Sequence, residues 1–465
     1  MTLAHELAER AHRIRYEDLT PTVLEWTRAA FVDTIAVTLA GINTDTAQIP
    51  LRVAGIAGAA GRCLVFGTDK RTSALDASFV NGVASHALDY DDVSGALGGH
   101  PSVPMVAPLI ALAEQFGASG RDVALAYAVG FETECRIARG VHFHHYDKGW
   151  HPTATLGIFG TVAGTARLLG FTPAQTAMAI GLAASFAAGL KANFGTMTKP
   201  LHVGHCARNG LLAVLLVREG FTANPGALEH KQGFLEVFNG AGTYNIERML
   251  DGWGAPFMIE AGEPGLKPYP CCGSTHGAID RALDLARRYR PAADAIGSIE
   301  VMTHARRLPH TDNPDPRTPL AAKFSMQYAV ARALVDGAVR LEHFEGDAHL
   351  DPLVRQVMPH VTVRAHPEMA DDSPCQWGAE VVVTLTSGER LASRIDDYPR
   401  RGPGSDPIRR EELWTKFEDC AGLALPRAQV APLFALLEKL DALPDLAEVS
   451  RLMECRTRPV AGAAE

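Results

Sequence analysis

The sequence predicts a mainly helical protein: a large all-helical domain joined to a smaller α+β unit late in the chain. Three observations carry this. Up to about residue 260, apolar residues recur at helical spacing in run after run. Glycine is abundant (43 residues) and aromatic residues make up only 7% of the chain, which suits closely packed helices. After Pro264-Gly265 the pattern changes to short runs that read as strands. At 465 residues the chain exceeds one ordinary core, so about two or three domain-sized units are expected.

The elements follow in order. Thr20 is placed to cap a helix whose first residue is Pro21, with apolar spacing through Phe31, Ile35 and Leu39 to Gly41. In the stretch from Ser85 to Asp92, helical spacing puts Ser85, Asp89 and Asp92 on one face and leaves Ala84, Ala87 and Leu88 for a core. His100-Pro101-Ser102 and His151-Pro152-Thr153 each place a histidine before a proline and a hydroxyl residue that open an apolar helix. Gly157, Gly160, Gly164 and Gly181 recur inside helical runs. Each costs about 1 kcal/mol relative to alanine, so close helix packing is the expected compensation. Thr172-Pro173-Ala174-Gln175 repeats the helix start and adds a capping-box glutamine.

In the second part, residues 296–303, 361–365 and 380–385 read as strands, the last ending in a Ser387-Gly388 turn; residues 323–334 read as a helix. These make an α+β unit over 266–403. Residues 401–407 read as a linker, and 411–440 as helix again. The pattern leaves open whether that helical tail completes the first domain or stands apart. The chain therefore divides into 1–265, 266–403 and 404–465, with a short low-complexity tail after Pro459.

Composition narrows the function. A net charge of −9 argues against nucleic acid as a partner. The most apolar run, 177–190, is too short to span a bilayer. The N-terminus shows no basic region followed by an apolar one, so a signal peptide is not expected. Eight cysteines are scattered, and only Cys271 and Cys272 lie close together. That favours reduced thiols and a cytoplasmic location. No nucleophile elbow, Walker A loop, HExxH helix or dinucleotide fingerprint occurs, which leaves a nucleotide-driven or triad mechanism without support; no cofactor and no metal are expected.

Three groups carry the candidate chemistry. His100 and His151 would sit near free helix amides and the positive end of a dipole, which favours the neutral imidazole a base requires; packed histidines at helix starts are the plainer alternative. Lys191, Lys199, His202, His205 and Arg208 form a local cationic group in an acidic protein, which implies a small anionic ligand. Lys267 to His276 hold the third group: two prolines keep the backbone extended, and Ser274 or Thr275 could cap the helix that His276 begins. Adjacent Cys271 and Cys272 seldom share a zinc. His142 to His145 read as an exposed loop rather than a metal patch, and Tyr328 as either a core aromatic or a polar tip reaching a cleft.

At these residues the chain resembles the MmgE/PrpD family, whose activities include 2-methylcitrate dehydration, cis-aconitate decarboxylation and iminodisuccinate epimerisation. The likeness takes in residues 81–104, 149–164, 198–210, 267–280, 322–336 and 387–417. It implies a helical domain completed by the C-terminal helices, an α+β lid, a homodimer, and an active site between the domains without an iron–sulfur cluster. Position by position, it implies Asp89, His100, His151, Lys199, Lys267 and Tyr328 as active-site residues. Two positions depart from the decarboxylating branch: Val93 stands where that branch has threonine, and Cys272 where it has a histidine, with His276 four residues on. The expected catalytic set is therefore Asp89, His100, His151, His276 and Tyr328, with Lys199, His202, Lys267, Cys272 and Ser274 binding substrate. The expected activity is a cofactor-independent hydro-lyase that abstracts a proton next to a carboxylate of a small hydroxy-polycarboxylate. Epimerisation of an amino- or imino-dicarboxylate is the alternative, and a noncatalytic carboxylate-binding relative is the third reading.

Overall fold

The Thr20 hydroxyl accepts a hydrogen bond from the Val23 amide (3.2 Å), Pro21 takes the first helical position, and the helix runs over Pro21–Gly41 as the spacing predicts. Thr172 and Gln175 form the expected capping box at the start of Pro173–Ala183. The computed structural model describes residues 1–455 apart from 263, 372, 374, 376, 399, 400, 404 and 405. Two of the expected linker residues (404 and 405) and the low-complexity tail after Pro459 lie outside the described residues. Contacts divide the chain into two units. One comprises 1–192, 198–266 and 401–465; the other comprises 193–197 and 267–400.

The first unit is built on the helices Pro21–Gly41, Ala74–His86, Val103–Phe116, Gly120–Val141, Gly157–Leu168 and Thr198–Arg218. Small residues let them approach as the sequence suggests. A Cβ on Gly204 would lie 2.5 Å from the Phe79 carbonyl oxygen and 2.4 Å from Val83 Cγ2, so Thr198–Arg218 rests directly on Ala74–His86. Likewise a Cβ on Gly160 would lie 3.0 Å from the Gly130 carbonyl oxygen of Gly120–Val141. The all-helical expectation needs one correction: two short antiparallel pairs occur, Cys63–Leu64 with Arg71–Thr72 and Val93–Ser94 with Pro264–Gly265. The second of these ties the loop after the aspartates to the end of the N-terminal segment.

The run 411–440 is divided, with Arg410–Ala421 and Arg427–Leu437 separated around Pro426. Arg410–Ala421 packs on Pro21–Gly41 in the first unit. A buried ion pair fastens it, Lys416 Nζ to Asp33 Oδ1 at 2.6 Å, and the same ammonium donates to the Tyr90 carbonyl at 2.6 Å. A helix from the far end of the sequence thus holds the aspartate loop.

In the second unit, four strands lie in the order Val361–Ala365, Ile296–Thr303, Ala379–Leu385, Arg390–Ile395. The first pair is parallel, in register Ile299↔Val361, and the other two are antiparallel. Ile299, Val301, Val381, Val383 and Leu391 join one core with the helices His276–Tyr289 and Met326–Asp336. The helix expected at 323–334 starts three residues later, because Ser325 caps it by accepting from the Tyr328 amide. Arg390–Ile395 was not expected as a strand; only Leu391 and Ser393 of it are buried, so its polar residues hid the alternation. No helix among the described residues is long and apolar enough to cross a membrane.

Candidate active site

The helix Ala74–His86 ends at His86, not beyond Asp92. The Ser85 hydroxyl donates to the Gly82 carbonyl (2.8 Å), and Asp89 takes a left-handed backbone, φ +52°. This corrects the expected Ser85–Asp89–Asp92 helical face. A non-glycine residue in this region costs on the order of 1–3 kcal/mol, and aspartate is among the side chains that adopt it. Two cations hold the loop there. Lys199 Nζ donates to Asp89 Oδ1 at 2.6 Å with both groups buried, and Lys416 takes the Tyr90 carbonyl. Once the helix has ended, the three aspartates point to three different partners.

Asp91 lies between two imidazoles. His86 Nδ1 is 2.8 Å from each carboxylate oxygen, and His100 Nδ1 is 2.9 Å from Oδ2 and 2.8 Å from the Asp92 backbone carbonyl. Burial would raise the Asp91 carboxyl, but His100 and His86 overrule it and hold it well below the carboxylate range. Burial pushes His86 down to about 3, opposed by Asp91 and reinforced by Lys199. The rings of His86 and His100 meet edge to face at 4.5 Å, and His86 stacks on His151 at 5.8 Å.

Asp92 behaves oppositely. Burial raises its carboxyl well above the ordinary value, the Ser102 hydrogen bond opposes this, and the charges of Asp33 and Asp91 add to it. The Ser102 hydroxyl donates to Asp92 Oδ2 (2.6 Å) and meets the Tyr127 hydroxyl at 2.7 Å. Ser102 is the N-cap of Val103–Phe116, as the reading of His100-Pro101-Ser102 as a helix opening expects, but its side chain serves Asp92 rather than the helix amides.

His151 precedes Pro152 as expected, but the helix it opens is the single turn Pro152–Thr155. A dipole of that length is slight. Burial, followed by the charge of Lys199, is what holds His151 well below its ordinary value. Its Nδ1 lies 3.2 Å from His202 Nδ1, and burial with Lys199 lowers His202 to about 4. The two histidine motifs meet directly, since Thr153 Oγ1 accepts from the His100 amide at 3.0 Å. Asp89, His100, His151, Lys199 and His202 are thus brought together in the first unit. Lys191 is held elsewhere, donating to the Tyr146 carbonyl at 2.9 Å. His145 is buried rather than in an exposed loop, between Asn239 Oδ1 (3.0 Å) and Thr155 Oγ1 (2.8 Å).

Lys267, Cys272, Ser274, His276 and Tyr328 belong to the second unit. Lys267 and Cys272 are buried, and the Cys272 amide donates to the Lys323 carbonyl at 2.9 Å. Lys323 Nζ donates to the Pro270 carbonyl (2.7 Å), so this lysine fixes the cysteine loop from both sides. Neither hydroxyl caps the following helix: Thr275 Oγ1 donates back to the Cys272 carbonyl (2.8 Å), and Ser274 Oγ pairs with His310 Nε2 (3.0 Å). His276 Nε2 lies 3.2 Å from the Cys271 carbonyl, and burial pushes the Cys271 thiol up to about 12. Tyr328 is a core aromatic. Its hydroxyl donates to the His343 carbonyl and accepts from Arg332 (3.1 Å), so of the two readings of this residue the core aromatic is the one observed.

Sequence reasoning missed His86 and Asp91. Both lay inside the Ser85–Asp92 stretch, but an assumed helix turned them away from the Ser85–Asp89–Asp92 face. His86, Asp89, Asp91 and His100 bring one donor atom each within 4.8 Å of one another, a set that would suit a divalent cation. The charges here are already answered: Lys199 neutralises Asp89, and Asp91 receives both Nδ1 groups. We read the cluster as a hydrogen-bonded network.

Comparison with known sequences matches the MmgE/PrpD N-terminal domain over residues 5–247 and the MmgE/PrpD C-terminal domain over 269–440. The cis-aconitate decarboxylase of Mus musculus is 27% identical over 97% of this chain and 93% of its own length. That of Homo sapiens is 26% identical over 98% and 96%. The Aspergillus terreus enzyme is 28% identical over 97% and 95%.

Proposed function

Because the chain belongs to the MmgE/PrpD family, we propose that it is a lyase acting on a small polycarboxylate through a carbanion-like state next to a carboxylate. The observation that carries this is the buried Lys199–Asp89 pair at 2.6 Å with His100 Nε2 3.7 Å from the same Asp89 oxygen. Removing a proton or a carboxyl group from such a carbon leaves negative charge, which fixed cations and hydrogen-bond donors stabilise best away from water. In this proposal Lys199 receives a substrate carboxylate and Asp89 orients the ammonium. In dehydration the C–H proton goes to His100 Nε2, and the His151–His202 pair, one Nδ1 donating to the other, protonates the departing hydroxyl, which leaves as water. In decarboxylation the C–C bond breaks to release carbon dioxide, the pair protonates the carbanion, and no proton passes to His100.

Two bond cleavages fit this frame. Loss of water from a hydroxy-polycarboxylate is the first reading; Val93 and Cys272, at positions where the resemblance puts the decarboxylating branch's threonine and histidine, argue against decarboxylation and are equally compatible with the epimerase alternative. Loss of carbon dioxide from an unsaturated tricarboxylate is the second, favoured by the names of the relatives that align along nearly the whole chain. Lys267, Cys272, Ser274 and His276, the lid role of their unit and the homodimer enter the proposal through the family resemblance alone.

The test is proton NMR in deuterated water with citrate, 2-methylcitrate, isocitrate, malate, aspartate-derived dicarboxylates and cis-aconitate. New vinyl signals from a hydroxy acid are expected for dehydration. Carbon dioxide release from cis-aconitate identifies the second reading. Deuterium at an α-carbon without an alkene would replace the lyase by an epimerase, and unaltered spectra throughout would overturn the catalytic reading.

A further inference from the structure

A carbonyl oxygen and an ionised carboxylate accept hydrogen bonds and donate none. His100 Nδ1 faces one of each, the Asp92 carbonyl at 2.8 Å and Asp91 Oδ2 at 2.9 Å, so that nitrogen must carry the ring hydrogen. His86 Nδ1 faces both oxygens of Asp91 at 2.8 Å and is bound by the same requirement. In a neutral imidazole the other nitrogen then holds the lone pair. His86 Nε2 is buried with no hydrogen-bond partner among the described residues, while its ring lies against those of His100 and His151. A buried ring nitrogen left without a partner is destabilising, so a ring set this way is costly unless the free nitrogen is used.

We infer that Asp91 is a positioning residue that holds His86 and His100 together as Nδ1–H tautomers, so that each offers Nε2 as its basic nitrogen and His86 serves as a second proton-accepting imidazole. The catalytic consequence rests on the lyase reading above; the tautomers do not.

Asp91→Asn tests both parts. The amide has one accepting oxygen and one donating nitrogen. The Asp92 carbonyl still requires Nδ1–H on His100, so the amide oxygen turns to His100 and its NH₂ faces His86. His86 must then move its hydrogen to Nε2. In the full chain labelled with ¹⁵N-histidine, long-range ¹⁵N–¹H spectra are expected to show Nδ1–H on both rings of the wild type. In the variant, a switch to Nε2–H is expected at His86 alone. With a responsive substrate, kcat is expected to fall on the order of 10²-fold with KM little changed. Nε2–H on either ring of the wild type overturns the inference whether or not the variant folds. Unaltered tautomers in Asp91→Asn also overturn it, and a switched His86 with undiminished kcat removes the role assigned to that ring. Because the spectra require no turnover, they stand apart from any failure to find the substrate.

Discussion

Asp91 and Asp92 are neighbours in the chain, yet their surroundings shift their carboxyl groups in opposite directions. Asp91, between two imidazoles, is held well below the ordinary carboxyl value, whereas Asp92, buried against Ser102 and near other carboxylates, is raised well above it. An amide can keep hydrogen bonds to Ser102 without burying a charge, so Asp92→Asn is expected to cost about 1 kcal/mol or less in urea unfolding. Lys199→Met strands the Asp89 charge in the interior and is expected to cost about 3–5 kcal/mol, with much of that recovered in the double variant with Asp89→Asn. Equal costs for Asp92→Asn and Lys199→Met would refute the charge assignment. His145 supplies a pH test. Burial lowers it to about 4, so between that value and the unfolded value near 6.5 the unfolded chain binds a proton that the native state does not. Its contribution is therefore complete above pH 6.5 and is lost as pH falls toward 4. His145→Gln should flatten the pH dependence of unfolding free energy in that window by up to about 1.4 kcal/mol per pH unit; an unaltered slope would refute the burial effect.

Helix starts were legible because they are local. Thr20 with Pro21 and Thr172 with Gln175 need only the next few residues to define a cap. Helix ends at the site were not, since the aspartate loop leaves the helical path under contacts from Lys199 and Lys416, which are far away in sequence. The glycines were read correctly as packing residues, and Gly204 shows the limit: no room exists for a methyl group between Thr198–Arg218 and Ala74–His86. Gly204→Ala is expected to cost about 1–3 kcal/mol by overpacking and to lower activity by displacing the helix that carries Lys199. Gly55, inside Asp45–Ala57, has open space at its Cβ and is the control. There alanine should be neutral or stabilising by up to about 1 kcal/mol. A Gly204→Ala variant as stable and active as the control would show that the helices part without cost.

Across the whole chain, the buried network answers its own charge, so prolonged dialysis against a chelator is expected to leave turnover and unfolding midpoint unaltered. Restoration of a lost activity by one divalent ion would instead make the His86–Asp89–Asp91–His100 set its site. The sequence by itself determined the mainly helical character, the strands Ile296–Thr303 and Val361–Ala365, the family, and most of the residue types at the candidate site. These follow from periodicity, caps and motifs, all read over short spans. Tertiary structure alone decided where Ala74–His86 stops, which aspartate is raised and which lowered, and that a helix near residue 416 holds the loop at residue 90. It also closed Tyr328 into a core and placed His86 beside His100. The physical reason is that charge state and loop path depend on burial and on partners brought from distant parts of the chain, and no local pattern encodes either.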